Sequence, residues 1–408
     1  MSPAAAVLAR VMETSHGRIL AILAPGSGIA AAEDALSDAL VAALRTWDAT
    51  GIPDRPEAWL VAAARHALAH GRDHAEVVRR SAANLARTDP DPGDPGADDI
   101  PDRRLALLFV CAHPAIDADA RTPLMLQCVL GLTAARIAAA WIASPATISQ
   151  RLVRAKRRIA ALGIPFAVPD RAALPDRLAH VLGAIFAAFA VGRDGGGWSD
   201  DGTVGLDTEA VALARLVVEL MPDEPEARSL LALLLYATAR AAAGRDAAGR
   251  FIPLDDQDPA LWDRARITEA ERHLINAVAG AAGAPGRFQI EAAIQSVHAS
   301  RRPGEAIPWA ALVGLYDILL ARWPSVGAAV ARLAALARLD PPEAVLVQVQ
   351  TLMHGLPAPY QPAIALEADL LRRLGRHGEA GEASRRAAAL ALDPAVRAWL
   401  LARVPAAT

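Results

Sequence analysis

Residues 131–165 read GLTAARIAAAWIASPATISQRLVRAKRRIAALGIP. Thr133 is placed to cap a helix running through Ile142, with Ile137 and Trp141 turned inward. A short turn follows at Ala143. Ser144 then caps a second helix, and Pro145 takes its first position, where a missing N–H costs nothing. In the second helix Ile148, Leu152, Ala155 and Ile159 recur at spacings of four, three and four, which makes one apolar stripe. Thr147, Gln150, Arg151, Arg154 and Arg158 fall on the rest of the wheel. Two helices joined by a tight turn, the second with one apolar and one basic face, make a helix-turn-helix. Its basic face can meet phosphates and base edges in a major groove. An ordinary surface helix mixes Arg with Glu, and this one carries no acid.

The surrounding charge supports the same reading. From residue 121 to 165 there are seven basic residues, six Arg and Lys156, and no Asp or Glu. Residues 1–100 carry 9 Arg against 14 acids, and the stretch from 166 onward has a balance of −4. The chain as a whole stands at −3, so positive charge is concentrated in one short segment, the footprint of a nucleic-acid-binding module.

Composition extends the helical reading to all 408 residues. Alanine dominates and aromatics make up 4%, which disfavours sheets and points to an all-α chain. Residues 88–99, TDPDPGDPGADD, hold three prolines and five aspartates and no large apolar side chain, so they read as an extended acidic linker. Five segments follow: a helical module over 5–87, the linker 88–99, the helix-turn-helix module 100–165, a connecting helix with a Gly-rich loop over 166–205, and a helical series over 206–408.

In the first module Leu36, Leu40, Ala43 and Leu44 fall at helical spacing beside Trp47. The next helix starts at Asp54 or Pro56 and carries Trp59, Leu60 and Leu68 inward. Glu33, Asp34 and Asp38 take the outer face of the helix before Trp47, where acids are usually a solvated surface. In the C-terminal series the clearest unit begins near Pro362. Ala368, Ala380 and Ala387 stand where two helices of a tetratricopeptide-like repeat approach closely, and Gly375 ends the first helix. Leu206 to Arg240, with a turn at MPDEP, and Val326 to Leu356 are weaker units.

Catalytic motifs are absent: there is no Gly-rich phosphate loop, HExxH, CxxC or GxSxG, so no enzyme and no cofactor are expected. His66, His70 and His74 recur every four residues, a spacing that can bind a metal but more often marks a surface row; no metal is expected. Cys111 and Cys128 are too few for a disulfide framework and suit a reducing cytoplasm, with Cys111 and His113 in a core-packing run. The apolar stretch at residues 4–9 is interrupted by Arg10, and the longest apolar run, 181–191, has 11 residues against the roughly 20 a membrane span needs. A cytoplasmic protein with no membrane partner is expected.

The order of these features resembles a known family. An acidic-faced helix, AEDALSDAL, leads to a Trp and to PEAWL; a linker leads to IPDRRLALLFVCAHPAI, then to the helix-turn-helix and QRLVRAKRRI, with MPDEP and LDDQDP further on. This resembles the extracytoplasmic-function (ECF) sigma factors of bacterial RNA polymerase, in the subgroup with a C-terminal tetratricopeptide-like extension. The resemblance implies that region 2, here about residues 10–85, docks Glu33, Asp34 and Asp38 on core polymerase and captures the −10 element. Arg65 and His66 stand where the family carries an Arg-Asn pair, and so would face DNA. It implies that region 4 places Thr147, Gln150, Arg151, Arg154 and Arg158 in the −35 major groove of promoter DNA. The extension would regulate the sigma half, by touching it or by receiving a partner protein. The rival expectation is a helical-repeat adaptor whose sigma-like half binds DNA or polymerase without initiating transcription.

Overall fold

The computed structural model describes residues 2–70, 103–140, 144–164, 173–194, 205–281, 283–301 and 305–404, with residues 166 and 169. Among them the chain is all-helical, with no strand and one isolated bridge between Arg245 and Phe251. It divides into two compact units: Met1–Val191 with Ser199–Glu209, and Gly192–Trp198 with Ala210–Thr408. The 88–99 linker and most of the Gly-rich loop lie outside the described residues.

The first unit opens with α1 (Pro3–Leu23), capped by the Ser2 hydroxyl, which accepts from the Ala5 N–H at 3.2 Å. Helix α2 (Ile29–Thr50) runs between Gly28 and Gly51, both at positive φ, and α3 (Pro56–His70) follows. The buried face of α2 is Ala32, Ala35, Leu36, Ala39, Ala42, Ala43 and Trp47. Leu44, expected inward, is 45% exposed, because the small-residue stripe on which the neighbours close lies to one side of it. Trp47 meets Trp59 of α3 edge-on at 5.3 Å, and Leu60 is fully buried, while Trp59 and Leu68 are half-buried.

The remaining helices of this unit are α4 (Arg104–Cys111), α5 (Ala118–Leu130), α6 (Ala134–Ala140), α7 (Pro145–Leu162) and α8 (Leu174–Asp194). Thr133 accepts from the Arg136 N–H and Ile137 is buried, as the spacing predicts; Trp141, Ile142 and Ala143 lie outside the described residues. Cys111 and Cys128 sit in the α4–α5 core, where burial and the neighbouring Cys128 push the Cys111 thiol up and leave it protonated. Helix α8 is held by two arginines. Arg177 donates to the Phe109 carbonyl at 3.0 Å. Arg121 donates to the Ile116 and Pro114 carbonyls and meets His180 Nε2 at 2.6 Å. Among the described residues Leu174–Arg193 is the one helix long and apolar enough to cross a membrane. Asp176, Arg177 and His180 interrupt its apolar run, and somewhat under half of its most apolar part is buried in the protein.

The described helices of the two sequence modules 5–87 and 100–165 pack together. Helix α1 lies on α4 and α5, and α2 lies on α7. The crossing of α1 over α5 is close because Gly17 has no side chain. A methyl group there would land on the Val129 carbonyl well inside van der Waals contact.

The second unit is a run of helices: α9 (Leu206–Leu220), α10 (Pro225–Ala239), α11 (Arg264–Gly280), α12 (Arg287–Ala299), α13 (Trp309–Arg322), α14 (Val326–Leu336), α15 (Pro342–His354), α16 (Gln361–Arg373), α17 (His377–Leu390) and α18 (Pro394–Leu401). Helix α10 is buried along nearly its whole length between α11 and α12. Its Glu226 reaches across to cap α12, accepting from the Phe288 and Gln289 N–H groups at 3.0 Å each. At the far end α16 stops in a Schellman turn: Gly375 is at φ 74°, its N–H donates to Arg372 and the Arg376 N–H donates to Leu371. Ala368, Ala380 and Ala387 are buried between α16 and α17, as their spacing predicts. Replacing Ala387, which has no exposed surface, with Trp overfills this seam at a cost of about 1–3 kcal/mol or more. Denaturant unfolding of the full chain checks this through an earlier transition of the second unit; an unchanged midpoint contradicts it.

Candidate nucleic-acid interface

Helix α7 is built from both ends as its sequence requires. The Ser144 hydroxyl accepts from the Thr147 N–H at 3.1 Å, Pro145 takes the first turn, and Gly163 closes the helix at φ 57°. Its buried residues are Ile148, Leu152, Ala155 and Ile159, which seat the helix on α5 and α6. That leaves Thr147, Gln150, Arg154 and Arg158 exposed and Arg151 half-buried. The Thr147 hydroxyl lies 2.8 Å from Ser144 Oγ, so it belongs partly to the cap. Arg151, Arg154 and Arg158 line a groove of about 620 Å³ whose opposite wall is the first turn of α5, with Asp117 and Asp119. None of the three arginines makes an ion pair among the described residues. Three guanidinium groups one or two helical turns apart, with their charge unspent, can take phosphates or guanine edges.

Arg65 and His66 stand on another helix. Helix α3 packs on α1 and α2, where Arg65 is exposed and His66 half-buried. In the His66, His70 and His74 row, His74 lies outside the described residues.

The acidic trio of α2 is divided by the fold. Asp34 is exposed and Asp38 half-buried, but Glu33 does not lie on an open outer face. Both of its carboxylate oxygens accept from Lys156 Nζ, at 2.7 and 2.6 Å, and the same ammonium donates to Gln127 Oε1 at 2.6 Å. Cys128 Sγ also approaches Glu33 Oε1 at 3.9 Å. The docking of α7 against α2 turns Lys156 inward, while Arg154, Arg157 and Arg158 of the same helix face out. Lys156 is the single lysine among 42 basic residues. A compact ammonium with three donors fits a carboxylate and an amide oxygen converging from two helices, where a planar guanidinium would be held to one plane. That solitary lysine is the signal by which the sequence could have revealed the contact.

His16 of α1 borders this cluster, with the backbone of Gly131 against its ring. Burial, with repulsion from Lys156 second, holds its pKa down to about 4. The unfolded chain takes up a proton near pH 6.5 that the folded unit refuses until about pH 4. The stability contributed by neutral His16 is therefore complete above pH 6.5 and is lost as pH falls toward 4, on the order of 3 kcal/mol. Thermal unfolding of the first unit is expected to begin earlier at pH 5 than at pH 7.5, and less so in a His16→Gln variant. Equal acid sensitivity in the two chains contradicts this assignment.

Residues 177–278, from α8 to α11, match a family of unknown function, DUF6596. An uncharacterized protein of Rhizobium meliloti (strain 1021) is 36% identical over 385 residues, which cover 90% of this chain and 88% of that protein. No solved structure matches the chain.

Proposed function

The chain belongs to the family of the Rhizobium meliloti protein, and for it we propose the function of an ECF-type sigma factor, a non-catalytic cytoplasmic subunit that directs core RNA polymerase to selected promoters. The observation that carries this reading is α7: a capped helix seated by one apolar stripe, with Arg151, Arg154 and Arg158 unpaired along an open groove. In this reading α7 enters the −35 major groove, Arg65 and His66 approach the −10 element, and Glu33, Asp34 and Asp38 face polymerase. The two units then divide the work: the first carries the sigma regions, and the second is a tetratricopeptide-like extension that regulates them. In this reading the Lys156–Glu33 pair holds Glu33 back from polymerase, and full engagement requires that pair to part.

A second reading, a DNA- or polymerase-binding adaptor that does not initiate transcription, is favoured by α3. Arg65 is the only Arg or Lys in Pro56–His70, and the adjacent Ala67 is buried. That is little positive charge for holding a melted strand.

A double replacement of Arg151 and Arg154 by Ala tests the DNA-contacting role. Among the described residues Arg154 bonds only to the Gln150 carbonyl of its own helix, so the fold is expected to survive. Promoter binding is expected to weaken at least tenfold, with a shallower salt dependence, since each base-edge contact is worth about 1–3 kcal/mol and each phosphate contact releases counterions. Unchanged binding by the folded variant removes α7 from the interface.

A further inference from the structure

The second unit holds two arginines, Arg240 and Arg301, that no carboxylate among the described residues pairs with. Arg240, just past the end of α10, is largely enclosed: its Nη2 donates to Gln295 Oε1, while its Nη1 is buried with no partner. Arg301, two residues beyond α12, donates to the Asp255 carbonyl at 3.1 Å and the Gln257 carbonyl at 2.5 Å, and its guanidinium lies 5.1 Å above the Trp262 ring. The Asp263 N–H bonds the Ala239 carbonyl at 2.9 Å, which ties the Trp262 turn to the backbone beside Arg240. Trp262 Nε1 and the Tyr236 hydroxyl are likewise buried without partners. Arg193 adds a third guanidinium, donating to the Ala237 carbonyl at 3.3 Å.

Among the described residues no acid offsets the charge of Arg240 and Arg301, and neither makes an ion pair. The Asp255 carboxylate belongs to Arg338 and offers Arg301 only its backbone. Burial, then Arg193 and Arg301, pushes the Arg240 pKa down to about 10, so it remains charged at pH 7. Burial, then Arg240 and Arg301, keeps His298 neutral, with a pKa of about 4. An unpaired buried charge is strongly unfavourable, and orphaned buried donors gathered in one place call for a missing acceptor. The orphaned nitrogens, Arg240 Nη1 and Trp262 Nε1, are pure donors. What complements them is a group rich in acceptors, poor in donors and negatively charged.

We propose that the second unit binds a small oxyanion of the phosphate class at Arg240, Arg301 and Trp262. This site is independent of the α7 interface and stands or falls apart from it.

The test is thermal unfolding of the full chain in increasing inorganic phosphate, with potassium chloride at matched ionic strength. A ligand that binds only the folded state raises the midpoint by mass action. The wild-type chain is expected to gain several degrees in millimolar phosphate, saturably, and nothing comparable in chloride. Arg240→Met is expected to lose the gain. Arg301→Met, expected to lose it as well, serves where the first variant does not fold. ³¹P line broadening of phosphate by the wild-type chain, absent with the variant, gives the same answer without unfolding. A gain no larger than that in chloride, or one that persists in both variants, overturns the site.

Discussion

Exchanging Lys156 for Glu is expected to destabilise the first unit by about 3–5 kcal/mol, the cost of breaking a desolvated pair and leaving its charge uncompensated. The side chains of Lys156 and Glu33 are only 14% and 22% exposed, so water screens little of the repulsion that two facing carboxylates would feel. Gln127 Oε1, which now accepts from the ammonium, would lose that donor and its amide would have to turn over. Denaturant unfolding should show an earlier first transition, and the charge swap Glu33→Lys with Lys156→Glu should recover part of the loss. A single variant as stable as the wild-type chain would show that α2 and α7 are not joined through this pair. Under the proposed function the variant also frees the acidic face of α2, so polymerase should retain more of it than of the wild-type chain.

Gly17→Ala carries the second large effect, and its sign is diagnostic. In an isolated helix alanine is favoured over glycine by about 1 kcal/mol, so in a solvated α1 the change would stabilise. In the structure the new methyl group meets the Val129 carbonyl, a backbone atom that cannot swing aside, and α1 and α5 must separate. The expected result is a loss of about 3 kcal/mol or more, at the upper end of what overpacking costs. A neutral or stabilised variant would mean that α1 does not cross α5 at this point.

What the sequence makes legible is what short-range physics dictates. The α7 stripe, its Ser144 cap and the Gly375 stop each depend on residues within a few positions, and the structure places them where spacing predicts. The fold between modules is not legible in this way. Glu33 and Lys156 are 123 residues apart and carry no shared pattern; an acid on a helix looks solvated until a partner helix is known. Gly17 gave a weaker hint, a glycine deep in an otherwise good helix former, where only close packing offsets its cost. Leu44 misled because the buried face of α2 is mostly alanine, with Leu36 and Trp47, and runs to one side of Leu44. The Arg240 group was invisible for the same reason as Glu33: its members lie just past α10, in the 255–262 segment and just past α12, and only the folded chain brings them together.

Run-off transcription with purified core RNA polymerase on fragments of genomic promoters tests most directly the proposal that this chain is an initiation subunit. The full-length chain is expected to yield discrete transcripts from a subset of fragments, with none from core enzyme alone and none when Arg151 and Arg154 are both alanine. Core enzyme that gives no chain-dependent transcript from any fragment would contradict it.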